Sequence, residues 1–295
     1  MKIFVMLGYF HQHPNPNPVV AGALGRLRRG GFQVDVGFAD EIVIDADGLK
    51  VTHDLYLLKS HSDYWLSIAG TLHGLGAPLL DPYPACLLTR DKFLVTQHLS
   101  AHGVPVPATW LTGDLDLLCE IVAERPLIIK PNSGRPVAPI VLVRSADDLC
   151  RLHPFSELML AQEYIPGSGA DLKVYVIGSQ VFGVRRAYRR SGPQDLGEPQ
   201  SISGEVRKIA LRCGEACGLT LYGVDIIEGP AGPVVVDINY FPSFRGVPDA
   251  ADLVADHIAS GPSSAPSLSL DALAAWSKHD SPTPDGRHSA ARSHA

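Results

Sequence analysis

Residues Leu221 to Val247, LYGVDIIEGPAGPVVVDINYFPSFRGV, constrain the chain most, because they carry acidic groups inside segments that otherwise read as strands. Val224-Asp225-Ile226-Ile227 and Val234-Val235-Val236-Asp237-Ile238-Asn239 are rich in β-branched residues. Gly229, Pro230, Gly232 and Pro233 punctuate the gap as a hairpin turn would. Side chains alternate along a strand, so Asp237 and Asn239 share a face that Asp225 on the partner strand can join. Two carboxylates and an amide oxygen make an all-oxygen set, better suited to Mg²⁺ than to Zn²⁺. Capping or turn aspartates would account for one such residue, but less well for three.

The preceding chain supplies a scaffold for that hairpin. Ile3 to Leu7, Phe32 to Val36 and Leu55 to Lys59 read as strands, alternating with helices over Val19 to Arg29 and about Tyr64 to Leu75. This βαβ rhythm predicts a parallel sheet with covering helices. No GxGxxG follows the first strand, so a dinucleotide site is not expected. A length of 295 residues allows two or three lobes, and the net charge of −6 argues against nucleic acid as a partner. No run of eighteen apolar residues predicts a membrane span, and MKIFVMLGYF reads as a buried strand rather than a signal peptide. The five scattered cysteines, with no CxxC pair, fit a reducing, cytoplasmic setting.

Several segments between the first lobe and the hairpin carry cations. Arg90-Asp91-Lys92 opens a predicted helix to about His102, closed by Gly103-Val104-Pro105-Val106-Pro107, after a stiff connector at Asp81 to Ala85. Leu127 to Pro131 is an apolar strand bearing Lys130, a charge in a buried run that needs an anionic partner. Gln162-Glu163-Tyr164-Ile165 ends another strand before Pro166-Gly167. Asp171-Leu172-Lys173-Val174-Tyr175-Val176-Ile177-Gly178 follows, and then Arg185-Arg186. Guanidiniums suit carboxylates and phosphates alike, so an anionic substrate is expected.

In this order the motifs resemble the ATP-grasp superfamily. Arg-Asp-Lys, Gly-Val-Pro-Val-Pro and the arginine pair resemble its RimK-type carboxylate–amine ligases. Asp-Ile-Asn-Tyr-Phe-Pro and the Lys173 strand resemble its inositol phosphate kinases. The resemblance implies an α/β ATP-grasp fold with a Rossmann-like lobe at 1–85, a central lobe at 86–165 and a C-terminal lobe at 166–260. A disordered tail is expected at 261–295 from its Ser/Pro/His-rich composition. It further implies that Lys92, Lys130 and Lys173 reach nucleotide phosphates and that Gln162 to Ile165 hold adenine. Asp225, Asp237 and Asn239 would hold one or two Mg²⁺ ions, for which Mn²⁺ can substitute, and Lys173, Arg185 and Arg186 would act at the reacting group.

The expected reaction is ligation through an acyl phosphate, on an anionic small molecule or peptide. The alternatives are phosphorylation of a polyol hydroxyl and a nucleotide-binding module with lost chemistry. Residues 132–139 depart from the glycine-rich phosphate loop of the ligases, although Ser133 and Arg135 can contribute there. Lys59 and His61 lie where the kinases carry a substrate loop and can grip an anion. The His11-x-His13 pair, with no third ligand nearby, reads as a solvated Pro-stiffened loop.

Overall fold

The computed structural model describes residues 1–8, 17–133, 140–152, 158–167, 170–187 and 196–261. The expectations for His11, His13 and Arg135, most of the phosphate loop and nearly all of the 261–295 tail therefore lie outside the described residues.

Strand β1 (Lys2–Leu7), helix α1 (Pro18–Arg29), β2 (Gln33–Phe38), β3 (Leu55–Leu58), α2 (Asp63–Gly74) and β4 (Leu79–Leu80) build the first layer. Its strands are all parallel, in the order β2-β1-β3-β4, as the βαβ rhythm requires. Helix α1 starts where Asn17 accepts a hydrogen bond from the Val19 amide, with Pro18 at its first turn. It buries Val20, Ala23, Leu24 and Leu27, spaced three and four apart, against the sheet.

The connector contains more structure than its prolines suggest. Tyr83–Leu88 forms a short helix, α3, because Pro84 sits in its first turn, where no amide donor is needed. Helix α4 (Lys92–Ala101) follows, its first turn capped by the Asp91 carboxylate accepting from the Leu94 amide at 2.8 Å. Next come β5 (Thr109–Thr112), α5 (Cys119–Glu124), β6 (Leu127–Pro131), β7 (Val141–Val143), α6 (Ala146–Cys150) and β8 (Met159–Glu163). They form an antiparallel sheet in the order β5-β8-β6-β7 around a small core of its own.

The last layer holds β9 (Ala170–Ile177), β10 (Gln180–Ala187), β11 (Glu198–Gln200), α7 (Gly204–Cys217), β12 (Leu221–Gly229), β13 (Gly232–Tyr240) and α8 (Ala250–Ala259). Its strand order is β11-β10-β9-β12-β13, antiparallel throughout. Helix α7 covers one face; Tyr222 lies against Gly214, where a Cβ would collide with its ring, and donates its hydroxyl to the Ala210 carbonyl at 2.8 Å. One continuous core runs from β1 and β3 through to β9, β12 and α8, so the first and last layers are packed as a unit. Buried Asp81 ties them further by accepting from the Thr220 amide and hydroxyl and from the Leu221 amide.

Candidate active site between the two antiparallel sheets

The uncovered face of the last sheet carries the acidic residues. Lys173 on β9 is directly opposite Asp225 on β12, which is directly opposite Asp237 on β13, so the three side chains line one face. That alignment depends on an irregularity. From the turn outward the pairs run Gly229–Gly232, Glu228–Pro233, Ile227–Val234 and Ile226–Val235. Continued regularly, they would pair Asp225 with Val236 and send Asp237 to the opposite face. The register instead shifts between Asp225 and Ile226, so Val236 is the extra residue of a β-bulge and Asp237 moves into line with Asp225. Asn239, two residues on, shares the face, and its amide nitrogen donates to Asp237 at 3.4 Å.

The carboxylates are held by lysines from three directions. The Lys92 ammonium, at the start of α4, donates to both Asp237 oxygens at 2.6 Å, and Lys173 donates to Asp225 at 2.5 and 2.6 Å. Lys130 reaches across from the central sheet and donates to the Val236 carbonyl at 3.0 Å, using an acceptor at the bulge. The base of α4 is pinned to β6, since Asn132 accepts from the Lys92 and Phe93 amides through its carbonyl and side-chain oxygens.

Burial and charge work against each other here. Burial would raise the Asp237 carboxyl, but the ammoniums of Lys92 and Lys130 hold it down at about 2. Lys130, 8 % exposed, is pulled down by burial to about 8 despite Asp237 nearby. Burial also lowers Lys173, yet Asp225 outweighs it and raises the ammonium. Three ammoniums face two carboxylates, a surplus of positive charge fitted to polyphosphate.

The two arginines of Arg185-Arg186 part company. Arg186 shares the face of Val184 and Lys173, with its guanidinium donating to the carbonyls of Leu196 and Arg245 and its buried Nε unpartnered among the described residues. Arg185 points to the other face and pairs with Glu228 at 3.3 Å. In the expected adenine segment, buried Gln162 donates to Thr109 at 3.3 Å, and the Glu163 and Tyr164 amides donate to the carbonyls of Ala108 and Pro126. The amide donors of those two residues are thus taken up within the protein, and Ile165 follows them. Its side chain packs on Gly229 of the hairpin, where a Cβ would not fit.

A second group of cations flanks the hairpin on the side of the first sheet. Tyr240 donates its hydroxyl to the Ser60 carbonyl at 2.6 Å, and the His61 ring lies on Tyr240 at 4.4 Å. Phe241, in the left-handed region at φ 34°, holds its ring 5.5 Å from the Lys59 ammonium. Lys59 is half-buried, while His61 keeps an exposed edge although protein surrounds much of its ring. Burial lowers Lys59 to about 8, and burial together with Lys59 and Arg90 lowers His61 to about 3. Arg90, whose side chain is 9 % exposed, carries no individual assignment by motif reading, which weighs only Lys92 within Arg-Asp-Lys. Its one sequence signal is its place at the head of that motif.

The oxygen set fits a hard divalent cation. Asp225, Asp237 and Asn239 would hold it, since two carboxylates and one amide oxygen are the hard donors that suit Mg²⁺. Among the described residues, no cluster of three or more His, Cys, Asp or Glu offers a competing metal site. No helix among them is long and apolar enough to cross a membrane.

Comparison with known proteins agrees with this geometry. A probable alpha-L-glutamate ligase of Xanthomonas euvesicatoria is 27% identical over 215 residues, spanning 66% of this chain and 73% of the relative. The RimK domain ATP-grasp protein of Sphaerobacter thermophilus superposes with a TM-score of 0.70 at 19% identity, covering 88% of this chain and 100% of that one. The ATP-grasp ligase PsnB, solved with a precursor peptide and AMPPNP, superposes with a TM-score of 0.64 at 23% identity, covering 87% and 96%. Both structural likenesses bear on the fold alone. The RimK-like ATP-grasp domain matches residues 89–258, more than half of the sequence, and the chain therefore belongs to the RimK-like ATP-grasp family of carboxylate–amine ligases.

Proposed function

We propose that the chain is an ATP- and Mg²⁺-dependent ligase that activates the carboxylate of an anionic small molecule or peptide as an acyl phosphate and joins it to an amine. The observation that carries this reading is the convergence of Lys92, Lys130 and Lys173 on Asp225 and Asp237 in the cleft between the two antiparallel sheets. A divalent ion, when bound, would be held by Asp225, Asp237 and Asn239 and would offset the charge of the phosphates. The lysines exchange their present carboxylate and carbonyl partners for the polyphosphate, fixing it in line with the acceptor. The acceptor carboxylate attacks the γ-phosphorus and ADP leaves. An amine then attacks the acyl carbon, phosphate departs, and the amine proton passes to solvent. Arg186, on the same face as Lys173, is placed to stabilise the developing oxyanion, whereas Arg185 serves the surface pair with Glu228.

The curated relatives are named glutamate ligases, and PsnB is seen with a peptide, so glutamate and acidic peptides are the substrates to try first. The test is ATP turnover with Mg²⁺ and hydroxylamine, against pools of amino acids, small carboxylic acids and acidic peptides. Hydroxamate with stoichiometric ADP is expected. ADP released only with polyol acceptors, and no hydroxamate, would instead assign the chemistry to a hydroxyl.

A further inference from the structure

Around the metal-facing hairpin, the lysines of the phosphate cluster have partners within it, but the cations beside Tyr240 do not. No carboxylate pairs with the Lys59 ammonium among the described residues; its neighbour is the face of Phe241. Arg90 spends one nitrogen on Asp63 at 3.3 Å, an aspartate whose side chain is 62 % exposed. Its Nε and Nη1 are buried and have no hydrogen-bond partner among the described residues. A guanidinium nine-tenths buried with two unpartnered nitrogens is costly unless an anion completes it. The His61 ring lies within electrostatic reach of Lys59, Arg90, Lys92 and Asp237, which places all four groups about one corner of the cleft.

That corner borders the phosphate cluster at Lys92 and Asp237 and lies beyond it along the hairpin. Asp237 and Asn239 face the phosphates, while Tyr240 and Phe241, the next residues on, turn the chain toward Lys59 and His61. The hydroxyl of Tyr240 clamps the Ser60 carbonyl, so the Lys59–His61 loop is fixed relative to the hairpin and offers a preformed site.

We infer that Lys59, His61 and Arg90 form a second anion subsite that holds a non-reacting carboxylate or phosphate of the acid substrate, so that this substrate carries at least two anionic groups. The inference rests on the ligase reading for the meaning of the reacting end. Forked donors on Arg90 and the point charge of Lys59 match either oxyanion, and the neutral ring of His61 adds a donor without competing for the charge.

The test separates the subsite from the chemistry. Full-length protein is saturated with Mg²⁺ and a non-hydrolysable ATP analogue, which fills the Lys92, Lys130 and Lys173 cluster, and is then titrated calorimetrically with succinate or with inorganic phosphate. Binding of at least one probe is expected, weakened about tenfold or more in both Arg90→Gln and Lys59→Met, with Arg90→Lys retaining an intermediate affinity. The probe that binds more tightly assigns the group as carboxylate or phosphate. Absence of binding, or equal binding by wild type and both folded variants, overturns the subsite. In parallel, hydroxamate formation is compared for L-glutamate, O-phosphoserine and L-glutamine. A KM for glutamine well above that of the better dianionic acid, in the wild type but not in Arg90→Gln, supports the subsite. Probe binding without hydroxamate from any acid would keep the subsite and remove the ligase reading; hydroxamate with variant-insensitive probe binding would do the reverse.

Discussion

Lys92 occupies the two oxygens of Asp237 that a divalent ion would need, so its removal makes a sharp test of the phosphate cluster. The ammonium sits 2.6 Å from both oxygens, with Lys92 15 % and Asp237 22 % exposed in their side chains. A metal ion arriving without nucleotide must displace that ammonium and then lie close to it. At an effective dielectric of ~20, unit charges about 4 Å apart interact by about 4 kcal/mol, and a divalent ion doubles the repulsion. Residual solvent access and salt screen much of this, leaving about 3 kcal/mol, or roughly a hundredfold in affinity. Lys92→Met should therefore bind Mn²⁺ about a hundredfold more tightly than wild type in the absence of nucleotide, and bind ATP more weakly. Lys92→Arg, which keeps the charge, should bind free Mn²⁺ as weakly as wild type. Mn²⁺ titration followed by electron paramagnetic resonance at 0.1 M salt reads the free ion directly. Equal or weaker Mn²⁺ binding by Lys92→Met would refute the idea that the lysines, rather than a lack of ligands, keep the cluster from holding metal alone.

The other predictions address the remaining parts of the cluster and its frame. Arg186→Ala should lower kcat by about a hundredfold, while Arg185→Ala, which loses contacts with Glu228 and Gln200 on the other face, should keep kcat and change stability by about 0–1 kcal/mol; equal loss in both would cancel the assignment by strand face. Lys130 in the free protein loses its proton as pH rises through about 8, so ATP affinity should fall across that range. Lys130→Arg should flatten the profile, and an unchanged wild-type affinity from pH 7 to 9 would remove Lys130 from the phosphates. Asp81 is raised by burial from 3.8 to about 6, so the folded state holds its proton more firmly than the unfolded one. Its contribution to stability is therefore greatest below about pH 4 and declines by about 3 kcal/mol as pH rises past about 6. Asp81→Asn should abolish that slope in denaturant titrations, and a slope unaltered by the substitution would contradict it.

Much of the hairpin is legible in the sequence because strand periodicity and turn residues are local properties. Asp225, Asp237 and Asn239 stand out as polar groups in β-branched runs, and Gly229 to Pro233 marks the reversal. The first parallel sheet is legible for the same reason. The short helix at Tyr83–Leu88 is hidden because its prolines read as a rigid connector, although Pro84 occupies a position a first turn tolerates. The different faces of Arg185 and Arg186 follow from alternation, but which face is the cleft depends on β9 lying between β10 and β12, a long-range fact. Arg90 is hidden for another reason: its burial and unpartnered donors come from packing, and no local pattern announces them.

The bulge at Val236 shows how little separates a legible site from a correct one. Counting from the turn, a regular ladder places Asp225 and Asp237 on opposite faces, so the expectation that they cooperate is right only because one residue is extra. A bulge leaves backbone groups outside the ladder, and a carbonyl at cleft depth needs a donor. Lys130 supplies it from the other sheet at 3.0 Å, so the irregularity that aligns the carboxylates also gives the central sheet its polar tie to the hairpin. A phosphate that draws Lys130 away would release that tie at the moment the cleft fills. On the proposed role of Lys130, nucleotide binding and the relative setting of the two antiparallel sheets would thus be coupled through one lysine and the Val236 carbonyl it holds.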